Sequence, residues 1–253
     1  MDLNADLGES FGSWTMGDDA AMFPLITSAT VACGLHAGDP VTMLDTCRAA
    51  FELDVRVGAH VGYPDLAGFG LRAIDMTFDD LFGAVLYQLG ALDGVAHAVG
   101  ASVDFVKAHG ALYERTAHDA DQASAVVAAI QAYDPGLPIL GQPGSALLAL
   151  AEEAGHPVFH EVFADRAYLA DGTPVPRLQD GALLHDAAVV AARAVRLATK
   201  GEVEAVDGTV VRLQPHSLCL SGAAPGAAPG AAETAAAVRK ALEEAGVELE
   251  PFA

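Results

Sequence analysis

Charged and amide side chains recur at every second position inside segments that are otherwise apolar. The chain opens Asp2-Leu3-Asn4-Ala5-Asp6-Leu7, where polar and apolar residues alternate with the period of a strand. One face of that strand is apolar and the other carries two acids and an amide. Asp104-Phe105-Val106-Lys107-Ala108-His109-Gly110 repeats the pattern, with Lys107 and His109 on one face. A buried charge is costly unless it is paired. Several such strands therefore have to share one polar interior, and a polar interior of this kind usually serves chemistry.

Strand-like segments fall at 2–7, 28–33, 55–60, 103–109, 137–141, 157–162 and 216–220, with helical stretches at 40–53, 77–99, 119–132, 144–154, 180–199 and 232–245. Asp39-Pro40 reads as an N-cap followed by proline in the first turn. Thr77 with Asp80 resembles a capping box with Asp in place of Glu, and Gly155 and Gly246 sit where left-handed C-caps are expected. Asp207-Gly208 between valine-rich arms predicts a hairpin over 202–212 with a type I′ turn. The glycine-, alanine- and proline-rich run 222–230 reads as a flexible loop.

Seven strands alternating with helices imply a parallel α/β sheet, either a (β/α) barrel or an open doubly wound sheet. In both, ligands bind at the carboxyl ends of the strands. Asp6, Glu9, His36, His60, Lys107, His109, Glu161, Asp165, Arg166 and His216 all fall near those ends in this reading. No linker divides the chain, so one domain over 1–253 is expected; 253 residues at 52% hydrophobic content are ample for one core.

The net charge of -21, from 34 acids and 13 bases, argues against a nucleic-acid partner. No apolar run approaches the ~18 residues that span a bilayer, and the N-terminus lacks the basic and apolar regions of a signal peptide. Cys33, Cys47 and Cys219 form no CxxC pair and read as small buried hydrophobes. A cytoplasmic location is expected.

Asp6 and Glu9 offer carboxylates for a general base, a metal ligand or an amine anchor; the alternative is internal pairing with Lys107. His36 lies on the glycine-flanked turn of Ala32–Pro40, beside a helix N-terminus that favours an anion. With His60 and Asp6 it offers an Asp/His/His metal set, though no HxH or HExxH pair supports one. The loop 57–70 has the glycine content of a lid, but it is not GxGxxG and lacks the ending of a P-loop. Lys107 can hold a carboxylate, polarise a carbonyl or act as a base, and His109 stands beside it. Arg166 suits bidentate capture of a carboxylate; the alternative is a rim salt bridge to Asp165. Asn4, Tyr63, Asp165 and Arg166 are the substrate-binding candidates. His97, His118, His156 and His185 read as surface residues.

The stretches DLNADLGESFG (2–12), ACGLHAGDP (32–40), GAH (58–60), YPDLAGFG (63–70), VKAHGALY (106–113) and EVFADRAYLADG (161–172) resemble, in order, the LamB/YcsF family of 5-oxoprolinase A subunits. The resemblance implies a distorted seven-stranded (β/α) barrel related to the glycoside hydrolase/deacetylase superfamily. It also implies ATP-dependent opening of the lactam 5-oxoproline to glutamate, in a complex with subunits B and C. Asp6, Glu9, His36, His60, Lys107, His109 and Arg166 would then supply acid/base chemistry and hold the substrate carboxylate. The sequence departs from the family pattern at Thr30 (usually Asn), Val61-Gly62 (usually Pro-Ser), Ala108 (usually Pro) and Glu114 (usually Asn). It departs again at Ser221 and Ala223, where the family commonly has His and Asp. Two other activities fit the residues: a metal-dependent amide hydrolase acting alone on Asp6, His36 and His60, and a non-catalytic substrate-binding subunit.

Overall fold

A computed structural model describes residues 1–177, 179–221 and 230–253. The elements run β1 (Asp2–Leu7), α1 (Asp19–Met22), β2 (Ser28–Ala32), α2 (Pro40–Glu52), β3 (Arg56–Val61), α3 (Phe78–Val99), β4 (Phe105–Ala108), α4 (Gly110–Thr116), α5 (Ala120–Tyr133), β5 (Ile139–Gly141) and α6 (Ala146–Glu153). They continue with β6 (Val158–Phe163), α7 (Ala187–Lys200), β7 (Glu202–Glu204), β8 (Val210–Arg212), β9 (Ser217–Leu220) and α8 (Ala231–Glu244). Short 3-10 turns lie at Phe23–Leu25 and Leu66–Gly68.

Seven parallel strands close a barrel in the order β1-β2-β3-β4-β5-β6-β9, and β9 returns to pair with β1. The alternation in β1 decides which way its residues point. Leu3, Ala5 and Leu7 join the buried apolar layer between sheet and helices. Asp2, Asn4 and Asp6 take the opposite face, inside the barrel. Their neighbours complete the interior: Asp2 accepts hydrogen bonds from the hydroxyls of Thr27 and Ser28 at 2.6 Å and from Ser217. At the amino end the interior is plugged by aromatic rings, with Phe252 packed on Phe105 and Phe159 at centroid distances of 4.9 and 4.7 Å. Gly58 makes room for that plug, since a Cβ there would stand 2.2 Å from the Phe105 ring.

The caps follow the sequence. The Asp39 carboxylate accepts from the Val41 and Thr42 amides and Pro40 opens α2. Thr77 Oγ1 accepts from the Asp80 amide, while its hydroxyl donates to the Asp80 carboxylate, so only half of the capping box forms. Gly155 and Gly246 have φ +90 and +76.

Several expectations are corrected. The helix predicted from residue 180 starts at Ala187, capped by Asp186. The 202–212 hairpin is present, but its turn is not type I′. Only Gly208 has positive φ, and the bonds from Gly208 N to Ala205 O and Ala205 N to Thr209 O define a longer loop. His156 is buried, with Nδ1 bonded to Leu137 O. His216 precedes β9 and packs on His160 and Phe159, at the amino end of the barrel and not with the other polar residues. The run 222–229 and Ala223 lie outside the described residues. Among the described residues, no helix is long and apolar enough to cross a membrane.

Candidate active site

Lys107 is at the centre of the barrel interior. The register pairs His60 with Lys107 across β3 and β4, and Asp6 with Thr30 across β1 and β2. The Lys107 ammonium donates to Asp6 Oδ1 at 2.7 Å, lies 2.7 Å from Glu161 Oε1, and reaches Cys219 Sγ at 3.3 Å. Burial alone would lower its pKa, but the charges of Asp6 and Glu161 outweigh burial and hold it well above the ordinary lysine value. Burial likewise favours the neutral form of Asp6. Lys107 and His60 overcome it, so the Asp6 carboxyl lies well below the usual range and is ionised. Thr30 adds a hydroxyl bond to Asp6 at 2.6 Å. Of this group Asp6 opens to solvent, with 17% of its side chain exposed.

Asn4 lies beneath them, donating to Glu161 at 3.1 Å and to Ser217 at 2.6 Å. It is fully buried and supports the site from below without facing the cavity.

Above the strands a second group forms from three connections. Glu9 follows β1, His36 follows β2, and His109 caps α4 directly after β4. His109 Nε2 lies 2.7 Å from the Phe69 carbonyl, which only accepts, so that nitrogen carries the proton. Its Nδ1 then faces His60 Nε2 at 3.0 Å as an acceptor. Burial, with His60 next to it, lowers the His109 pKa to about 3, so the ring is neutral. His36 stacks on His109 with centroids 3.8 Å apart, and burial likewise holds it well below the usual imidazole range. Burial, then the charge of Asp6, holds the Glu9 carboxyl well above its ordinary value. Gly70 permits this packing at φ +66: a Cβ there would lie 2.6 Å from His109 and 2.9 Å from His36.

A cavity of about 130 Å³ opens over Asp6, His60, Lys107 and His109 and is walled by Tyr113, Phe163, Arg166 and Arg177 among others. Arg166 is buried against the Phe163 ring, donates to Val175 O and approaches Glu114 at 3.7 Å. It does not pair with Asp165, whose carboxylate instead accepts from the Ser221 amide at 2.8 Å, beside a separate small cavity. Tyr63 is also away from the site. Its ring is fully buried and its hydroxyl donates to Gln122 on α5 at 2.9 Å. Of Asp6, His36 and His60, the set weighed for a metal, Asp6 Oδ1 lies 3.5 Å from His60 Nε2 and is bonded to Lys107 and Thr30. Among the described residues, the metal-ligating side chains that converge within reach of one ion are Glu9, His36, His60 and His109. Sequence reading missed Arg177; it lies in an irregular loop where a lone arginine carries no periodic signal.

A closed parallel barrel ringed by helices, with a charged cavity at the carboxyl ends of its strands, defines the chain as a (β/α) barrel protein. It belongs to the LamB/YcsF family, which matches residues 1–253. It is 53% identical over 253 residues to the 5-oxoprolinase A subunit of Streptomyces coelicolor, covering 100% of both chains. It is 51% identical to a 5-oxoprolinase A subunit of Pseudomonas syringae pv. tomato, covering 100% of this chain and 97% of the relative. Among solved structures, a lactam utilization protein from Thermus thermophilus superposes with a TM-score of 0.93 at 43% identity, covering 100% of this chain and 99% of the other.

Proposed function

We propose that this chain is the A subunit of an ATP-dependent 5-oxoprolinase and holds the cavity in which the lactam ring opens. The supporting observation is the Lys107 ammonium fixed between Asp6 and Glu161 under a cavity sized for one small ring. Cavities near 150 Å³ accept a benzene-sized molecule, whereas ligand pockets for larger molecules run from about 300 Å³ upward. We therefore assign ATP to partner subunits B and C, and to this cavity the ring of a lactam already phosphorylated on its carbonyl oxygen.

A lactam amide is a poor electrophile, and phosphorylation of its oxygen makes the ring carbon reactive. Arg166 and Arg177 hold the substrate carboxylate. Arg166 Nε and Arg177 Nε and Nη2 are buried with no partner among the described residues, and a carboxylate supplies the acceptors they lack. Water adds to the ring carbon and its proton passes to Asp6. The ring C–N bond breaks as the adduct hydroxyl becomes the acyl C=O; the nitrogen takes one proton back from Asp6 and the other from that hydroxyl, and leaves as the ammonium group. A carboxyl of low pKa is a weak base but a strong acid once protonated, which suits the second transfer. Lys107 stabilises negative charge on the oxygens of the adduct. The product is an acyl phosphate, and a second water releases phosphate and leaves glutamate.

Lys107→Met, mixed with subunits B and C, is expected to lower glutamate release by about 10²–10³-fold, as loss of one preorganised charge donor does elsewhere. Circular dichroism verifies that the variant is folded. Undiminished release from a folded variant overturns the assignment.

A further inference from the structure

Glu9, His36, His60 and His109 are all buried, and one donor atom from each lies within 4.8 Å of all the others. Glu9 Oε1 is 3.8 Å from His36 Nε2 and 3.7 Å from His109 Nδ1, and His109 Nδ1 is 3.0 Å from His60 Nε2. Both Glu9 oxygens, both His36 nitrogens and His60 Nδ1 have no hydrogen-bond partner among the described residues. A buried polar atom left this way has lost its water and gained nothing in return, so such a concentration of them needs a ligand to explain it. Lysine does not supply it, because Lys107 is committed to Asp6 and Glu161.

We propose that these four side chains bind one divalent transition-metal ion of the zinc class. The spacing fits: ligands about 2.0–2.1 Å from a tetrahedral ion stand about 3.3 Å apart, close to the separations above. Three imidazoles and one carboxylate suit a borderline ion such as Zn²⁺ or Co²⁺ and not Mg²⁺ or Ca²⁺. His109 is already oriented for the task. Its Nε2–H donates to the Phe69 carbonyl, as metal-bound histidines donate their second nitrogen to a backbone or carboxylate oxygen. Phe69 holds that carbonyl in place from the left-handed region, at φ +55, an unusual conformation for a non-glycine residue.

The site lies between the ring-opening cavity and a neighbouring groove and contributes to the walls of both. His60 and His109 wall that cavity, while Glu9 and His36 line a second groove with Phe69 and Trp14. The proposal holds whichever substrate the cavity takes.

The test uses the full chain purified without chelators, then stripped and titrated with Co²⁺. About one equivalent of metal by elemental analysis, and the visible absorption of four-coordinate Co²⁺ saturating at one equivalent, are expected. Glu9→Gln and His36→Asn, verified as folded by circular dichroism, should each weaken Co²⁺ binding by at least about a hundred-fold, and Asp6→Asn should retain the four-coordinate spectrum. Absence of metal and of the cobalt spectrum in the wild-type chain overturns the proposal. So does unchanged affinity in Glu9→Gln and His36→Asn, or loss of the spectrum in Asp6→Asn with retention in Glu9→Gln.

Discussion

Lys107 Nζ sits 2.7 Å from both Asp6 and Glu161, two carboxylates that share one buried cation. Removing one partner of a buried ion pair leaves the other charge uncompensated, at about 3–5 kcal/mol. Lys107→Met is thus expected to lose that much stability in urea unfolding, and Lys107→Met with Asp6→Asn to recover part of it. Arg177 behaves differently, because its guanidinium nitrogens have no partner to lose among the described residues. Arg177→Ala should raise KM for 5-oxoproline in the reconstituted complex by about 10–100-fold, the equivalent of one charged hydrogen bond. Its unfolding free energy should stay within about 0.5 kcal/mol of wild type. A large stability loss with an unchanged KM contradicts a substrate role. Lys107 was legible in the sequence because a lysine inside an apolar strand is rare. Arg177 was not, and the Glu9–His109 approach was not either: four residues from separate strand ends meet only once the barrel closes.

At the scale of elements, period-two alternation and strong caps carried the reading. All seven barrel strands fall within a few residues of the positions read from hydrophobic pattern, and α2 begins where Asp39-Pro40 places it. The misses have local causes. Helix α4 starts at Gly110, with no break after β4 for a separate signal to occupy. The 164–186 connection folds on isolated bridges, Arg166 with Leu183 and Tyr168 with Pro174, so the helical pattern read there begins too early. The Asp39 cap gives a test with a pH sign. Bonds from Thr42 and the Gly12 amide hold its pKa at about 2, below the ordinary value of about 3.9. Its contribution is therefore complete above pH ~4 and lost as pH falls through about 2. Asp39→Ala is expected to cost about 1 kcal/mol near neutrality, with the difference from wild type vanishing in acid. A difference that persists unchanged at pH 2 contradicts the cap as its source.

For the whole molecule, closure of β9 onto β1 ties the two ends of the chain into one sheet, and Phe252 plugs the barrel between Phe105 and Phe159. Calorimetry of the isolated chain is expected to show one cooperative transition; two separated transitions contradict a single unit over 1–253. The net charge of -21 gives the molecule an electrostatic field that repels polyanions. Glutamate release from 5-oxoproline and ATP tests the central claim most directly. This chain is mixed with subunits B and C from its own source, and each component is omitted in turn. The ring-opening assignment predicts glutamate from the complete mixture alone, with ATP consumption persisting when this chain is left out. Undiminished glutamate release in its absence contradicts it.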